Sequence, residues 1–214
     1  MSNTAIFEGR GAGEYIVSEA NGHRSRGVAT LTGGGRYQAG TVLGRVLIST
    51  ATAAAAGNTG NGTIGAITVG AAKQGAYRLV ILEPGTNAGA YSVEDPDGIN
   101  VGDGVVGAAF TGGGLSFTLA DGSTDFVAGD SFTITVAAGS GKVKPLNLTA
   151  TDGTQTAYAI LYATTDVSGA DQKVAIHDRD MEANGECLTW PVGITDNQNA
   201  AQVAALATHG IIVR

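Results

Sequence analysis

Apolar and polar residues alternate in the middle of the chain with the period of two that is typical of β-strands. The segments AYRLVILE (76–83), LSFTLA (115–120) and SFTITVA (131–137) each carry apolar side chains at every second position. A strand with this pattern buries one face and exposes the other. Segments rich in Gly, Asp and Pro separate these strands and have turn chemistry. The pattern therefore predicts an all-β domain, a small β-sandwich or barrel, at residues 57–140.

One segment near the end of the chain has helical periodicity instead. Thr195 followed by Gln198 is the signature of a capping box, in which each side chain binds the backbone of the other. Gly210 lies where a helix needs a left-handed residue to end. These residues predict one helix, followed by a closing strand or tail, IIVR. Its expected apolar stripe is Ala200, Val203, Ala204, Leu206 and Ala207.

Two glycine-rich stretches divide the chain. ATAAAAGNTGNG (51–62) and GSGK (139–142) read as a linker and a flexible joint. The segments on their outer sides, 27–50 and 142–214, are expected to form one discontinuous domain around the inserted one. The predicted fold is therefore mostly β (α+β), with one C-terminal helix and an inserted β domain.

Residues 1–26 show no sustained period. They mix glycine with small and polar residues, and we expect a mobile arm unless a partner holds it.

The composition narrows the class of protein. The chain has 34 glycines and only 6% aromatic residues, which suits short strands joined by turns better than a helical bundle.

A single cysteine, Cys187, excludes an internal disulfide, and a cytosolic folding compartment fits best. No apolar run approaches the ~20 residues of a membrane span, and the N-terminus has no secretion signal. We expect no membrane partner.

The charge is acidic and unevenly distributed. The net charge is -7, which disfavours a nucleic-acid binder because such proteins need a basic face. Residues 51–140 carry eight acidic and two basic residues, whereas residues 1–45 carry five arginines against three glutamates. We therefore expect the middle of the chain to be a distinct acidic domain that follows a basic N-terminal arm in the sequence.

The arm contains residue types that nucleophilic catalysis uses. Ser18, Glu19, His23 and Ser25 lie close in sequence. A Ser-His-acid set works only when a rigid scaffold holds the hydroxyl against the imidazole, and a glycine-rich arm offers no such scaffold. A hydrolase using His23 or His177 is therefore the lowest-ranked hypothesis, and we expect no catalytic residue.

Metal and cofactor sites are also disfavoured. His177, Asp178 and Asp180 are adjacent, but the further ligands they would need, His209 or Cys187, follow no metal-binding spacing. An irregular calcium site and a tight turn both remain open for the acidic loop, because its sequence does not match the calcium loop of helix-loop-helix proteins. The acids of that loop are Asp95, Asp97 and Asp103. We expect no bound cofactor and no metal.

The two outer segments resemble the lambda-type bacteriophage head decoration proteins. The resemblance lies in the order of several blocks and covers just over half of the chain. The blocks are FEGRGAGEYIVSEANGHRSR, AGTVLG, AILYATTDVSGADQKVAIHDRDMEAN, LTWPVGIT and the terminal GIIVR.

This resemblance implies a structural protein of the virion without catalytic function. Such proteins bind as homotrimers at three-fold positions on the outer surface of the expanded capsid, after assembly in the host cytoplasm, and stabilise the shell. Their N-terminal arm binds the major capsid protein by adding to its strands, a mode that needs little side-chain specificity. The expected capsid-binding residues are Ile6, Phe7, Arg10, Tyr15, Ile16, Val17, Arg24 and Arg26.

The resemblance also leads to two further expectations. Removing residues 1–20 should leave a folded trimer that no longer binds capsids. His177, Trp190 and Pro191 are the expected residues of the trimer interface, although Trp190 and Pro191 also suit a core position.

The insertion departs from the short members of this family. Its role could be contact between neighbouring trimers, adhesion to host-surface glycans, or solubility. The alternative function is therefore a carbohydrate-binding module or adhesin, which usually needs exposed aromatic rings. The aromatic residues available to it are Tyr77, Tyr91, Phe110, Phe117, Phe126 and Phe132.

Overall fold

The computed structural model describes residues 9–21 and 24–214. The fold is mostly β with one C-terminal α-helix, as the sequence predicts. Its contacts divide the chain into two compact units. Unit 1 comprises the residues up to Val46 together with Gly141–Arg214, and unit 2 comprises Leu47–Ser140.

The elements follow one another along the chain as short strands, with the helix near the end. In order, they are β1 (Ile16–Glu19), β2 (Arg26–Leu31), β3 (Arg36–Tyr37), β4 (Val42–Arg45), β5 (Ile48–Ala55), β6 (Thr63–Ile64), β7 (Thr68–Val69), β8 (Gly75–Gly85), β9 (Ala88–Glu94), β10 (Asn100–Val105), β11 (Ala109–Gly112), β12 (Leu115–Ala120), β13 (Ser131–Ala138), β14 (Val143–Pro145), β15 (Ala157–Leu161), β16 (Thr165–Asp166), β17 (Gln172–His177), β18 (Met181–Ala183), α1 (Asp196–Ala207) and β19 (Ile211–Val213).

Unit 1 is built on a small closed barrel. Its strand order is β14-β2-β17-β15-β4, and β2 and β17 form its longest antiparallel pair. Gly44 in β4 lies so close to the Thr154 backbone that any side chain there would clash. The barrel interior is aliphatic and includes Leu31, Leu43, Leu161 and Ile176.

Unit 1 also contains a two-stranded sheet, β16-β3, and a three-stranded sheet, β1-β18-β19, with a second cluster of buried side chains. β1 pairs antiparallel with β18, and β18 pairs in parallel with β19. The expectation of a mobile arm up to residue 26 is therefore wrong for Tyr15–Glu19, because Tyr15 is buried and β1 belongs to the sheet. The sequence pattern missed β1 because four residues are too few to show a period.

Helix α1 begins as the capping box predicts. The Thr195 hydroxyl accepts the Gln198 amide, and the Gln198 side chain accepts the Thr195 amide. The predicted apolar stripe is only partly correct, because Leu206 is the single fully buried residue of the helix and the alanines 200, 204 and 207 are exposed. Most of this helix therefore faces away from the core of its own chain.

Unit 2 has two sheets whose side chains form one hydrophobic cluster. One sheet has the strand order β10-β9-β8-β13-β5, and the other has the order β11-β12-β6, with β7 also paired to β12. The alternation predicted for the three central segments is confirmed, because the inward positions are buried. These positions are Tyr77, Leu79, Ile81, Leu115, Phe117, Leu119, Phe132, Ile134 and Val136.

The expected linker at 51–62 is wrong in its first part. Residues 51–55 belong to β5, which pairs antiparallel with β13 along most of its length. Alanine has a low strand preference, so the composition of this stretch gave no strand signal. The partner strand β13 supplies the pairing that the local sequence does not indicate.

Candidate functional site

The candidate site is the N-terminal part of the described chain and the side chains that hold it on unit 1. Arg10 donates from its guanidinium to the Cys187 carbonyl at 2.5 Å and to the Thr189 hydroxyl at 3.0 Å. The Gly13 amide donates to the Tyr162 carbonyl at 3.0 Å. These bonds fix the course of the chain before β1 begins. Three residues that the sequence marks as candidates lie outside the described residues, namely Ile6, Phe7 and His23.

Tyr15 is part of the core. Its ring is 1% exposed and lies in the cluster that includes Val42, Ile160 and Met181. The expectation that Tyr15 contacts the capsid is therefore corrected, since a ring enclosed by its own chain cannot reach a partner.

The neighbouring residues of β1 divide between the two faces of the sheet. Ile16 is half-buried and packs against the same cluster as Tyr15. Val17 lies at a bulge, where the register shifts between Ile16 and Ser18, and it is 54% exposed. Val17 is thus available to a partner, whereas Ile16 mainly secures β1.

The arginines expected at the capsid differ in how far their side chains are already bound within unit 1. Arg24 is exposed and approaches the Asp180 carboxylate at 3.7 Å. Arg26 is held inside unit 1, because it binds the Glu19 carboxylate and lies 4.4 Å from the centre of the Tyr162 ring. Arg26 therefore has a structural partner, and Arg24 keeps most of its surface for others.

A buried hydrogen-bonded chain joins β1 to the barrel. The Tyr15 hydroxyl lies 2.6 Å from His177 Nδ1, and His177 Nε2 lies 3.0 Å from Glu19 Oε2. A carboxylate only accepts, so Nε2 must carry the proton, and Nδ1 then accepts from the Tyr15 hydroxyl. The neutral imidazole thus satisfies both neighbours.

Charge and burial set the protonation states in this chain. Burial lowers the pKa of His177, while the Glu19 carboxylate opposes that change. The Arg26 guanidinium and the Ser25 hydroxyl lower the pKa of Glu19 to about 2. The pKa of Tyr15 is raised, because burial penalises its ionised form. At neutral pH the group is therefore a neutral imidazole between a phenol and a carboxylate.

The two serines of this stretch are bound to carboxylates. The Ser25 hydroxyl donates to Glu19 at 2.7 Å, and the Ser18 hydroxyl donates to Glu182 at 2.9 Å. Among the described residues, which do not include His23, neither hydroxyl is bound to an imidazole, the base that nucleophilic catalysis by serine commonly uses. The polar residues of this stretch hold the chain together through carboxylate bonds.

The residues expected at the trimer interface also separate. His177 is fully buried in its own chain, so its expected role between subunits is corrected to an internal one. Trp190 and Pro191 are half-buried and line a groove of about 340 Å³ with Tyr37 and Leu146. Val192, directly after them, is fully exposed.

The acidic loop of unit 2 is a tight turn held by its own carboxylates. Asp95 accepts the backbone amides of Asp97 and Ile99, and Lys73 binds both Asp95 and Asp97. Across residues 9–21 and 24–214, no three His, Cys, Asp or Glu side chains gather as a metal site. In the same part of the chain, no helix is long and apolar enough to cross a membrane.

The aromatic residues of unit 2 do not form a sugar platform. All six rings that the sequence offers for glycan binding lie in the core. They are Tyr77, Tyr91, Phe110, Phe117, Phe126 and Phe132.

Comparison with solved structures gives only distant likeness. Two crystal structures of FlgL from Xanthomonas campestris match at 22% identity and a TM-score of 0.34, covering 50% and 49% of this chain and 34% and 33% of theirs. The flagellar junction protein FlgL from Legionella pneumophila matches at 16% identity and a TM-score of 0.34, covering 48% of this chain and 37% of that one. The chain thus spans about a third of the length of these proteins. Comparison with curated proteins gives no match.

Comparison with protein families is decisive. The family of the bacteriophage lambda head decoration protein D matches residues 5–211, which include both units. The matched region contains the anchored N-terminal segment, the barrel and the C-terminal helix. The chain therefore belongs to the family of the bacteriophage lambda head decoration protein D.

Proposed function

We propose that this protein stabilises a phage capsid by binding as a homotrimer at the three-fold positions of the expanded shell. Its partner is the major capsid protein, and its place is the outer surface of the virion after assembly in the host cytoplasm. The family is structural, and the proposal includes no catalytic step. The observation that carries it is the family match over residues 5–211, combined with the anchoring of the chain at Arg10.

The anchored segment supports docking through the N-terminus. Arg10, Gly13 and Tyr15 tie this part of the chain to unit 1 by bonds to distant residues. A docking segment before Gly9 would then start from a fixed point, so less conformational freedom is lost when it binds. The proposed capsid contacts include Ile6, Phe7 and the exposed Val17 and Arg24.

The outer face of the sheet β1-β18-β19 supplies further contacts in this proposal. Val17 and Ile212 are both exposed on it, the latter by 41%. Ion pairs flank them, with Arg214 on Glu182 and Arg24 near Asp180. Exposed apolar residues rimmed by charge are typical of protein interfaces.

The trimer is supported by surfaces that unit 1 leaves uncovered. The exposed alanines of α1 allow close approach of another chain, and the groove at Trp190 and Pro191 offers an aromatic anchor beside the exposed Val192. Tryptophan is enriched among residues that dominate binding energy. Trp190 and Pro191 therefore remain the proposed interface residues.

The test is co-sedimentation with expanded shells of the capsid protein, with light scattering to give the mass of the free protein. Truncation through residue 20 is unsuitable, because it removes the buried Tyr15 and strand β1. Removal of residues 1–8 keeps every contact described above. We expect this truncated protein to unfold at the wild-type temperature and to lose saturable binding.

A matched pair of substitutions tests the sheet face. Val17→Ser combined with Ile212→Ser should weaken shell binding, whereas Val28→Ser should not, although Val28 is 75% exposed on β2. Wild-type binding by both the truncated protein and the double variant would overturn the docking model. A monomeric mass at every concentration would overturn the trimer.

A further inference from the structure

Strand β5 is an open edge of the five-stranded sheet in unit 2. It has eight residues, and within the described chain it pairs with no strand other than β13. The side chains of residues 52–55 are all exposed. A free edge presents unpaired amides and carbonyls that another strand can bind.

The ladder identifies the amides that face outwards. Ala56 donates to the Ser131 carbonyl at 3.1 Å, and the pairing continues as Ala55 opposite Phe132 and Ala54 opposite Thr133. In an antiparallel pair, alternate residues bond to the partner and the others point away. Residues 51, 53 and 55 therefore direct their amides and carbonyls to the open side.

Residues 51–55 of this edge lack the usual protection against pairing. Natural edge strands carry charges, prolines or bulges that prevent association with other chains. The opposite edge of the same sheet, β10, has Asp103 and a bulge between Asn100 and Gly102. The eight residues of β5 include neither a charged residue nor a proline, and its bulge lies between Ile48 and Ala51, outside residues 51–55. An edge of this kind is expected where a partner strand covers it.

Charge indicates which partner. Unit 2 carries eight acidic and two basic residues, so two copies repel each other where these acids are exposed. The chain has no charged residue from Val46 to Ala72, a stretch that contains all of β5. An uncharged strand is therefore the partner that suits this edge, and β5 of another copy is such a strand.

We propose that β5 pairs with β5 of a second copy, antiparallel about a two-fold axis, so that two five-stranded sheets become one. The outward amides then bond with Ala53 opposite Ala53 and Ala51 opposite Ala55 of the other chain. A two-fold contact uses the same patch on both chains and closes on itself. It links neighbouring copies through unit 2 and does not depend on capsid docking.

Cysteine cross-linking in the full chain tests the register. In a Cys187→Ser background, Ala53→Cys places the two thiols across the axis, with Cα atoms about 5.5 Å apart, within the reach of a disulfide. Ala55→Cys is the control on the same strand, because its two copies would lie about 14 Å apart along the strands. We expect mild oxidation to give a covalent dimer for the first variant only. Equal yields, or no dimer from Ala53→Cys, would overturn the proposal.

Solution mass gives an independent test. In sedimentation experiments at increasing protein concentration, the mass of the smallest assembly of this chain should double. Ala53→Lys should abolish the doubling, because like charges then meet across the axis. Thr135→Lys, exposed on the adjacent strand, should leave it unchanged. No doubling in the wild-type protein, with loss of shell binding in Ala53→Lys, would assign the edge to the capsid protein and overturn the second-copy proposal.

Discussion

At the scale of single residues, the N-terminal stretch is held by one buried chain of polar groups. His177 is far along the sequence from both Tyr15 and Glu19, yet its two ring nitrogens lie 2.6 Å from the Tyr15 hydroxyl and 3.0 Å from the Glu19 carboxylate. The family resemblance suggested capsid docking for Tyr15 and a trimer contact for His177, and residue types raised catalysis for Glu19 and His177. The sequence could not show the actual role, because Tyr15 and His177 are 162 positions apart and no local period relates them.

The Tyr15 hydroxyl should contribute to stability. Tyr15→Phe leaves the ring in the core but removes the donor to His177 Nδ1, which then has a buried acceptor without a partner. We expect the free energy of unfolding to fall by about 1–2 kcal/mol. Denaturant titration measures this, with Tyr158→Phe, at a half-buried position, as the control that changes little. Equal effects of the two changes would contradict the assignment.

The same chain predicts how stability depends on pH. The pKa of His177 is lowered by burial from its ordinary 6.5, so unfolding takes up a proton below that pH and stability falls as the pH decreases. Glu19, with its pKa lowered from 4.5 to about 2, adds a second loss as the pH falls through that range. Denaturant titration from neutral to acid pH should show both losses.

The variant His177→Gln separates the two steps. It should lack the loss of stability that begins below pH 6.5, because glutamine does not titrate, and it should retain the loss due to Glu19. A wild-type protein of constant stability between pH 6.5 and 4.5 would argue against a neutral buried His177.

At the scale of elements, the sequence predicted those whose signal is local. The capping box at Thr195 placed the start of α1, and alternation identified the inward faces of β8, β12 and β13. β1 and residues 51–55 of β5 were missed, because each is defined by pairing with a strand far along the chain, β18 and β13. Tertiary pairing overrides weak local preference in both cases.

The attachment of α1 should depend on Leu206. It is the only fully buried residue of the helix, so Leu206→Ala removes its main contact with the core and leaves a cavity. We expect a loss of about 2–5 kcal/mol in the free energy of unfolding. Val192→Ala, at a fully exposed position, should change stability by less than about 0.5 kcal/mol. A small effect of Leu206→Ala would mean that the helix is held by other contacts.

At the scale of the whole molecule, the chain has separate cores in its two units. One hydrophobic cluster lies in unit 2, and the other two lie in unit 1. The block order of the outer segments pointed to the family that the comparison shows. Contacts place the unit boundaries at Val46 and Gly141. The composition placed the first boundary later, since it assigned the start of β5 to the outer domain and residues 51–55 to a linker.

Because the two units have separate cores, a core substitution in one unit should lower the stability of that unit alone. Ile134→Ala should destabilise unit 2, and Leu43→Ala should destabilise unit 1, each by about 2–5 kcal/mol. Calorimetry should then show two transitions, with each variant lowering one of them. A single transition that both variants shift equally would mean that the units unfold together.

The placement of aromatic residues has an optical consequence. The chain has one tryptophan, Trp190, which is half-buried in the groove of unit 1, while unit 2 contains only tyrosine and phenylalanine. Selective excitation of the indole therefore reports on unit 1 alone. Its emission should shift to shorter wavelength when a neighbouring chain covers the groove. One natural fluorophore can thus follow the proposed contact at this groove without labelling.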